Sequence, residues 1–238
     1  MHILSQTRGD EKMNKIEAVL FDMDGVIFDT ERVYLEHWIK IFKKYGYEMK
    51  KEVYVSVMGR GRENVMKTFL EIYGENLPIE EMYKEKDKLL VQAIEDGQVP
   101  MKPGALEILN CLKENNFKIA LATSAKRNRM MMQLKMGKIE NEFDAIVCGD
   151  DITNSKPNPE IFLKAAQKLS VNPENCVVVE DSPSGIKAAY SAEMMGLHVE
   201  DLKEADEEML KHCHKSFKNL FEIRDYLIEL TNFTYSTF

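Results

Sequence analysis

The chain has 238 residues, a formal net charge of −8 and a sequence pI of about 5.3, with 44% hydrophobic and 30% charged residues. This composition is typical of a globular protein and excludes collagen-like and fully disordered chains. An acidic surface repels a phosphate backbone, so we expect no nucleic-acid partner. The four cysteines form no CxxC pair and no run of about 18 apolar residues occurs, so we expect reduced thiols, no membrane partner and a cytoplasmic location.

The chain changes from polar to apolar at its first predicted strand. Residues 1–14 are polar and lack an apolar signal core, so we expect a disordered N-terminal extension. The segment from Ile16 to Phe21 is short, mostly apolar and followed by polar residues, which predicts a buried strand.

About ninety residues separate this strand from the next one, far more than one crossover connection needs. Three amphipathic helical patterns fill the segment, with Thr30 as the expected N-cap of the first. The glycines expected to end these helices are Gly46, Gly74 and Gly97. We therefore predict an all-helical cap domain over residues 30–100, inserted after the first strand.

The second half of the chain alternates strand and helix patterns. Short runs rich in Val, Ile and Ala predict strands at residues 118–122, 145–147 and 176–179, with amphipathic helices between them. Right-handed crossovers then place the carboxyl ends of all strands at one edge of a parallel sheet. We predict an α/β fold: a Rossmann-like parallel sheet core flanked by helices, formed by residues 15–29 and 101–238, with the inserted cap domain.

Two carboxylates, Asp22 and Asp24, follow the first predicted strand. Ligands of open parallel sheets bind at the carboxyl ends of strands, which is where this pair lies. Neighbouring carboxylates repel each other unless a cation neutralises them, and a hard divalent ion such as Mg²⁺ prefers oxygen ligands. An EF-hand loop is excluded, because its sixth and twelfth positions, Ile27 and Val33 when counted from Asp22, are not Gly and Glu. The other reading of the pair is a turn in which Asp and Gly only cap the chain.

Polar side chains follow later strands in the same way. Thr123 and Ser124 come after the second strand, Lys156 lies in a proline-bounded loop, and Glu180 and Asp181 end the fourth run. Each of these is, by itself, more often a helix cap or a solvated lysine. All of them belong to one predicted edge of the sheet, however, and together they supply an anionic nucleophile, a metal site and donors for phosphoryl oxygens. The set therefore indicates phosphoryl transfer.

The chain resembles the haloacid dehalogenase-like superfamily, whose four motifs match, in chain order, Asp22-x-Asp24-Gly25-Val26, Thr123, Lys156-Pro157 and Glu180-Asp181. The resemblance spans about residues 16–227. It is greatest for the branch that contains β-phosphoglucomutase and small sugar-phosphate phosphatases, because KPNPEIF and VVVEDSPSGIKAA are similar to that branch beyond the motif residues. Dehalogenation is not expected, since the dehalogenases lack the second acid of the first motif.

The resemblance implies a role for each motif residue. Asp22 would attack phosphorus and become an aspartyl phosphate, while Asp24 would serve as general acid and base. Thr123 and Lys156 would hold phosphoryl oxygens as charge develops, and we assign Ser124 to substrate binding.

The resemblance also implies the ligands of a Mg²⁺ ion. Asp22, the main-chain carbonyl of Asp24 and Asp181 would bind the cation, with Glu180 close by. We expect Mg²⁺ as the cofactor.

The cap residues bear on the choice between two activities. Gly59 and Arg62 match the substrate-specificity loop of the family, and Arg62 matches the position where the mutases bind a second phosphate. Tyr34 stands where the mutases carry a histidine. We therefore expect a phosphatase that acts on a small phosphorylated metabolite, with β-phosphoglucomutase activity as the alternative and a monomer as the oligomeric state.

A phospho-accepting, receiver-like signalling module is a further alternative, because it too forms an aspartyl phosphate with a nearby Thr and Lys. The order of the motifs and the long insert after the first strand argue against it.

Overall fold

The computed structural model describes residues 15–58, 60–202 and 204–235 of the chain. Its strands are β1 (Ala18–Phe21), β2 (Lys118–Ala122), β3 (Ala145–Val147), β4 (Cys176–Glu180), β5 (Met195–Val199) and β6 (Lys215–Phe217). They form one six-stranded sheet in the order β3-β2-β1-β4-β5-β6, and each neighbouring pair is parallel. The predicted α/β fold with a parallel sheet is confirmed. The predicted N-terminal extension, residues 1–14, lies outside the described residues.

The helices of the sheet-containing part cover both faces of the sheet. They are α5 (Ala105–Glu114), α6 (Arg127–Gly137), α7 (Glu160–Leu169), α8 (Pro183–Ser191), α9 (Glu207–Leu210) and α10 (Leu220–Tyr235). Successive side chains of β1 alternate between the two faces: Val19 and Phe21 join one buried cluster with α5 and α10, while Ala18 and Leu20 join the other with α7 and α8. Burial on both faces explains why β1 is apolar throughout.

Four helices lie between β1 and α5 along the described part of the chain: α1 (Thr30–Lys44), α2 (Lys51–Val57), α3 (Arg62–Tyr73) and α4 (Ile79–Glu95). They pack around their own apolar cluster, in which the rings of Trp38, Phe42 and Phe69 meet edge to face. Such edge-to-face pairs stabilise a core beyond the area they bury. The predicted N-cap role of Thr30 is wrong, because Thr30 is already helical, Asp29 occupies the cap position, and the Thr30 hydroxyl bonds the carbonyl of Phe28.

The chain enters and leaves this helical insert at one place. The Asp29 N–H donates to the Pro100 carbonyl at 2.9 Å, and the Lys102 N–H donates to the Ile27 carbonyl at 2.9 Å. The two crossings are therefore hydrogen-bonded to each other, next to the carboxyl end of β1. The domain boundaries at residues 30 and 100 stay a prediction. Among the described residues, none of the helices combines the length and apolarity needed to span a bilayer.

Candidate active site

The carboxyl end of β1 is the centre of the site. The Asp22 N–H extends the pairing with β4 by donating to the Val179 carbonyl at 3.0 Å, and the Asp24 N–H donates to Asp22 Oδ2 at 3.0 Å. Gly25 then adopts a φ of +77°, which favours glycine. A Cβ at Gly25 would also lie 2.3 Å from Asp181 Oδ2. The turn after β1 therefore requires glycine for its backbone conformation and for the close approach of a carboxylate.

Lys156 joins the first and fourth motifs. Its Nζ lies 2.5 Å from Asp22 Oδ1 and 2.6 Å from Glu180 Oε1, and the side chain is 2% exposed. Burial alone would lower the pKa of Lys156, but the carboxylates of Asp22 and Glu180 raise it above its usual value. The lysine is thus held as a cation beside the predicted nucleophile.

Glu180 uses both of its oxygens on protein donors. Oε1 accepts from Lys156, while Oε2 accepts from the N–H and the hydroxyl of Ser182 at 2.8 and 2.9 Å. A Cβ at Gly185 would lie 1.8 Å from Oε1, so the first turn of α8 leaves room for this carboxylate only because residue 185 is glycine. Glu180 therefore orients Lys156 in this structure.

Two buried carboxylates, Asp22 and Asp181, carry unfavourable charge. Burial is the main cause that raises the pKa of Asp22 to about 7, against the lowering effect of Lys156. Burial, and then the charge of Glu180, raises the pKa of Asp181 well above its usual value. A divalent cation between such groups would remove the repulsion.

The donors present fit Mg²⁺ better than a metal held by protein side chains alone. Within the described ranges, no three Asp, Glu, His or Cys side chains are arranged to hold a metal ion by themselves. Mg²⁺ usually takes one or two carboxylates and keeps several waters. Asp22, Asp181 and the Asp24 carbonyl would supply such a set.

Asp24 is paired with an arginine that the sequence analysis did not identify. Arg129 of α6 donates to both carboxylate oxygens, with Nη1 2.8 Å from Oδ1 and Nη2 2.5 Å from Oδ2. Arg129 Nη1 also lies 2.6 Å from Oε1 of Gln133, one turn further along the helix. Burial alone would raise the pKa of Asp24, but Arg129 outweighs it and holds that pKa below its usual value.

Thr123 and Ser124 differ in their access to the site. Thr123 is fully buried, its N–H donates to the Val147 carbonyl at 3.0 Å, and its hydroxyl accepts from the Ala125 N–H at 3.1 Å. Ser124 lines the cavity described next. The structure thus places Thr123 at the predicted end of β2, in the wall behind the cavity surface.

A cavity of about 380 Å³ lies between the sheet edge and the helical insert. Its floor contains five predicted motif residues, and its roof comes from α1, α2, α3 and α4. The motif residues of the floor are Asp22, Asp24, Lys156, Glu180 and Asp181. The volume is in the range of pockets for small molecules.

The predicted cap residues that the structure describes lie at this cavity. Tyr34 lines it from α1, and the Lys86 ammonium lies 4.5 Å from the centre of its ring. Arg62 lines it from the start of α3, pairs with Asp87 at 3.1 Å and stacks over Tyr83 at 4.4 Å. The predicted substrate contact at Gly59 lies outside the described residues.

Sequence reasoning also missed a buried acid in the roof. Glu31 lines the cavity, is 8% exposed, and accepts a short hydrogen bond from the hydroxyl of Tyr54. Burial, followed by the charge of Asp24, raises the pKa of Glu31 to about 8. The sequence contained one indication of this role, which is that Glu31 lies in the first turn of a helix that begins shortly after the first motif.

Comparison with known proteins agrees with this geometry. Residues 19–199 match the family model of the haloacid dehalogenase-like hydrolases. The phosphorylated carbohydrates phosphatase of Thermotoga maritima is 34% identical over 181 residues, which cover 74% of this chain and 82% of that protein. The β-phosphoglucomutase of Bacillus subtilis is 32% identical over 192 residues, which cover 77% of this chain and 83% of that protein.

A solved structure gives the same result for the fold. The crystal structure of β-phosphoglucomutase from Clostridium difficile is 31% identical in sequence and superimposes with a TM-score of 0.75, covering 91% of this chain and 97% of that one. The family model spans every residue that lines the cavity. The chain therefore belongs to the haloacid dehalogenase-like hydrolase family.

Proposed function

We propose that this protein is a Mg²⁺-dependent phosphatase that hydrolyses a small phosphorylated, sugar-like metabolite through an aspartyl phosphate on Asp22. The proposal rests mainly on the contact of Lys156 with both Asp22 and Glu180, on the floor of the cavity that the helical insert covers. A phosphatase of phosphorylated carbohydrates among the relatives supports the substrate class.

The first chemical step falls to Asp22. One of its carboxylate oxygens attacks phosphorus, the bond to the leaving oxygen breaks, and a phosphoryl group remains on the aspartate. The Lys156 ammonium is positioned to stabilise charge on the phosphoryl oxygens, an interaction typically worth about 3 kcal/mol in the transition state. Mg²⁺, held by Asp22, Asp181 and the Asp24 carbonyl, would supply charge neutralisation at the same phosphoryl group.

The second step needs a base, and Asp24 is the candidate. It would protonate the leaving oxygen and then take a proton from the water that hydrolyses the aspartyl phosphate. Each of its oxygens accepts one hydrogen bond from Arg129 in this structure, which leaves a second lone pair on each oxygen to carry the proton.

The β-phosphoglucomutase alternative has one favourable observation, which is that Arg62 lines the roof of the cavity. Two observations favour hydrolysis: the mutase histidine is replaced by Tyr34, and Arg62 is already paired with Asp87. Incubation with β-glucose 1-phosphate and its 1,6-bisphosphate separates the two activities. Isomerisation to glucose 6-phosphate would support the mutase, whereas release of inorganic phosphate alone would support the phosphatase.

The proposal is tested with Asp22→Asn, which keeps the shape of the side chain and removes the nucleophile. Turnover of p-nitrophenyl phosphate should be lost while the circular dichroism spectrum is unchanged. Asp29→Asn is the matched control, because Asp29 follows the same strand but its carboxylate pairs with the exposed Arg32 and does not line the cavity. Unchanged activity of Asp22→Asn would refute the assignment.

The remaining assignments extend this proposal. We propose that residues 30–100 act as a cap domain that supplies the roof of the cavity and selects the substrate. A monomeric state, a cytoplasmic location and the absence of nucleic-acid and membrane partners stay predictions.

A further inference from the structure

A further acidic side chain, Asp201, lies next to the proposed metal site. It follows β5 on the side of the sheet edge where Asp181 lies, and its side chain is completely buried. Its Oδ1 accepts a hydrogen bond from Lys102 Nζ at 2.5 Å. Its Oδ2 is buried and has no hydrogen-bond partner among the described residues.

The unpartnered oxygen of Asp201 faces Asp181. A Cβ at Gly25 would lie 3.2 Å from Asp201 Oδ2 and 2.3 Å from Asp181 Oδ2, so both oxygens converge on the same point above the Gly25 backbone. The charge of Asp201 is also one of the causes that raise the pKa of Asp181, after burial and nearer carboxylates. The two carboxylates therefore lie close enough to repel each other, on the side of Gly25 where a side chain would otherwise stand.

A buried carboxylate oxygen without a donor is unfavourable, because the group has lost its water and gained nothing in return. Lys102 satisfies only one of the two oxygens of Asp201. The nearby negative charge of Asp181 adds repulsion to this cost. Asp201 Oδ2 therefore lacks a hydrogen-bond donor. A donor associated with a positive charge would satisfy this oxygen and would also offset the repulsion from Asp181.

We propose that Asp201 is an outer ligand of the cation site, and that its Oδ2 accepts a hydrogen bond from a water molecule bound to Mg²⁺. Mg²⁺ keeps several of its waters in protein sites, and each such water is a strong donor. The proposal agrees with the lack of a third direct side-chain ligand in the described part of the chain. It rests on the proposed function, because it extends the Mg²⁺ site of that function.

Lys102 links Asp201 to the loop that follows β1. Lys102 lies where the chain returns from the helical insert, and its N–H is bonded to the Ile27 carbonyl in the loop that follows β1. The ion pair occupies Oδ1 of Asp201, which leaves Oδ2 as the oxygen without a donor on the side of Asp181. Asp201 is therefore a positioning residue for the metal and its water, with no contact to the reacting phosphoryl group.

The test is isothermal titration calorimetry of Mg²⁺ binding, with the Mg²⁺-induced rise in melting temperature as a second measurement. Asp201→Asn keeps the side-chain shape and removes the charge, and we expect its Mg²⁺ dissociation constant to rise about tenfold or more, as for other outer ligands. Glu200→Gln is the matched control, because it removes the same charge one residue away, and its affinity should equal that of the wild type. Affinity of Asp201→Asn equal to that of the wild type would overturn the proposal.

A second variant separates metal binding from a purely structural ion pair. Lys102→Met breaks the pair but leaves the carboxylate of Asp201 in place, so Mg²⁺ should bind as tightly as in the wild type, or more tightly. Weaker binding by Lys102→Met would also overturn the proposal, even if Asp201→Asn failed to fold. Failure of the proposed function has a different signature, since the wild-type protein itself would then not bind Mg²⁺.

Discussion

Arg129 holds both carboxylate oxygens of Asp24, with donor–acceptor distances of 2.8 and 2.5 Å. Both side chains are largely buried, so this ion pair lies inside the cavity wall rather than on the surface. A bidentate arginine favours the charged form of a carboxylate and fixes its orientation. Arg129 therefore controls the protonation and the position of the proposed acid and base.

Replacement of Arg129 by methionine should raise the pKa of Asp24, because burial remains while the positive charge is lost. In the plot of kcat/KM against pH, the fall in activity that accompanies deprotonation of Asp24 should then move to higher pH by about one unit or more. The measurement is the pH dependence of phosphate release from a sugar phosphate, whose alkoxide leaving group needs a proton. Arg127→Met is the control, because Arg127 lies on the same helix but pairs with Asp151 outside the cavity. Coincident profiles for wild type and Arg129→Met would contradict this role.

Removal of divalent metal should abolish activity. The repulsion between the buried carboxylates of Asp22 and Asp181 is then uncompensated, and the phosphoryl group loses its main source of positive charge. We expect a loss of roughly a hundredfold or more in kcat after treatment with EDTA and restoration after addition of Mg²⁺. Full turnover of p-nitrophenyl phosphate in the presence of chelator would count against a metal-dependent mechanism.

Glu31 should make the stability of the metal-free protein depend on pH. Its pKa is about 8 in the folded state and near 4.5 in an ordinary environment. Between these values the folded state binds a proton that the unfolded state does not bind, so the free energy of unfolding falls as pH rises from about 4.5 to about 8. Glu31→Gln has no such proton. The free energy of unfolding of the variant, minus that of the wild type, should therefore increase with rising pH by an amount on the order of a few kcal/mol over this window.

The measurement for Glu31 is urea unfolding of wild type and variant in EDTA at several pH values. Glu36→Gln is the matched control, because Glu36 lies on the same helix but is exposed. Its stability relative to the wild type should not change with pH. A constant difference between wild type and Glu31→Gln across the window would show that Glu31 is ionised in the folded protein.

Gly185→Ala should destabilise the protein and lower its activity. Alanine is normally the better residue within a helix, but here its Cβ would lie 1.8 Å from Oε1 of Glu180. Glu180 cannot move without losing its bonds to Lys156 and Ser182, so we expect a cost of about 1–3 kcal/mol, as for overpacked cores. Gly196→Ala is the control, since its Cβ would make only ordinary contacts at 3.5 Å or more. Thermal unfolding and turnover of both variants check the prediction, and equal behaviour of the two would contradict it.

The sheet and the motif residues could be predicted because their signals are local. An acid follows the apolar run of β1, and acids end the apolar run of β4 and follow it. A parallel sheet brings the carboxyl ends of such strands together whatever the connections between them. Strands β5 and β6 were not predicted. His198 and Gly196 interrupt the apolar run of β5, and β6 (Lys215–Phe217) contains only one apolar residue. Helix α2 was missed for a similar reason, since its seven residues are too few for a clear period.

The rest of the site depends on contacts between distant segments. In the sequence, Arg129 is indistinguishable from an ordinary polar residue of a helix. In the structure, the packing of α6 beside the first motif brings its side chain to Asp24. Glu31 and Asp201 belong to no motif in the sequence, and their burial is what distinguishes them from surface carboxylates. A motif identifies the groups that react, whereas tertiary structure determines the groups that set their charge.

The paired crossings between the sheet and the helical insert have a consequence for engineering. Since Asp29 and Pro100 are hydrogen-bonded neighbours, the insert can be exchanged as one cassette without changing the distance its replacement must bridge. A graft at this junction would leave the nucleophile and its lysine on the original scaffold. Transplanting the corresponding helices from a relative with a different substrate would therefore test directly whether the insert selects the substrate.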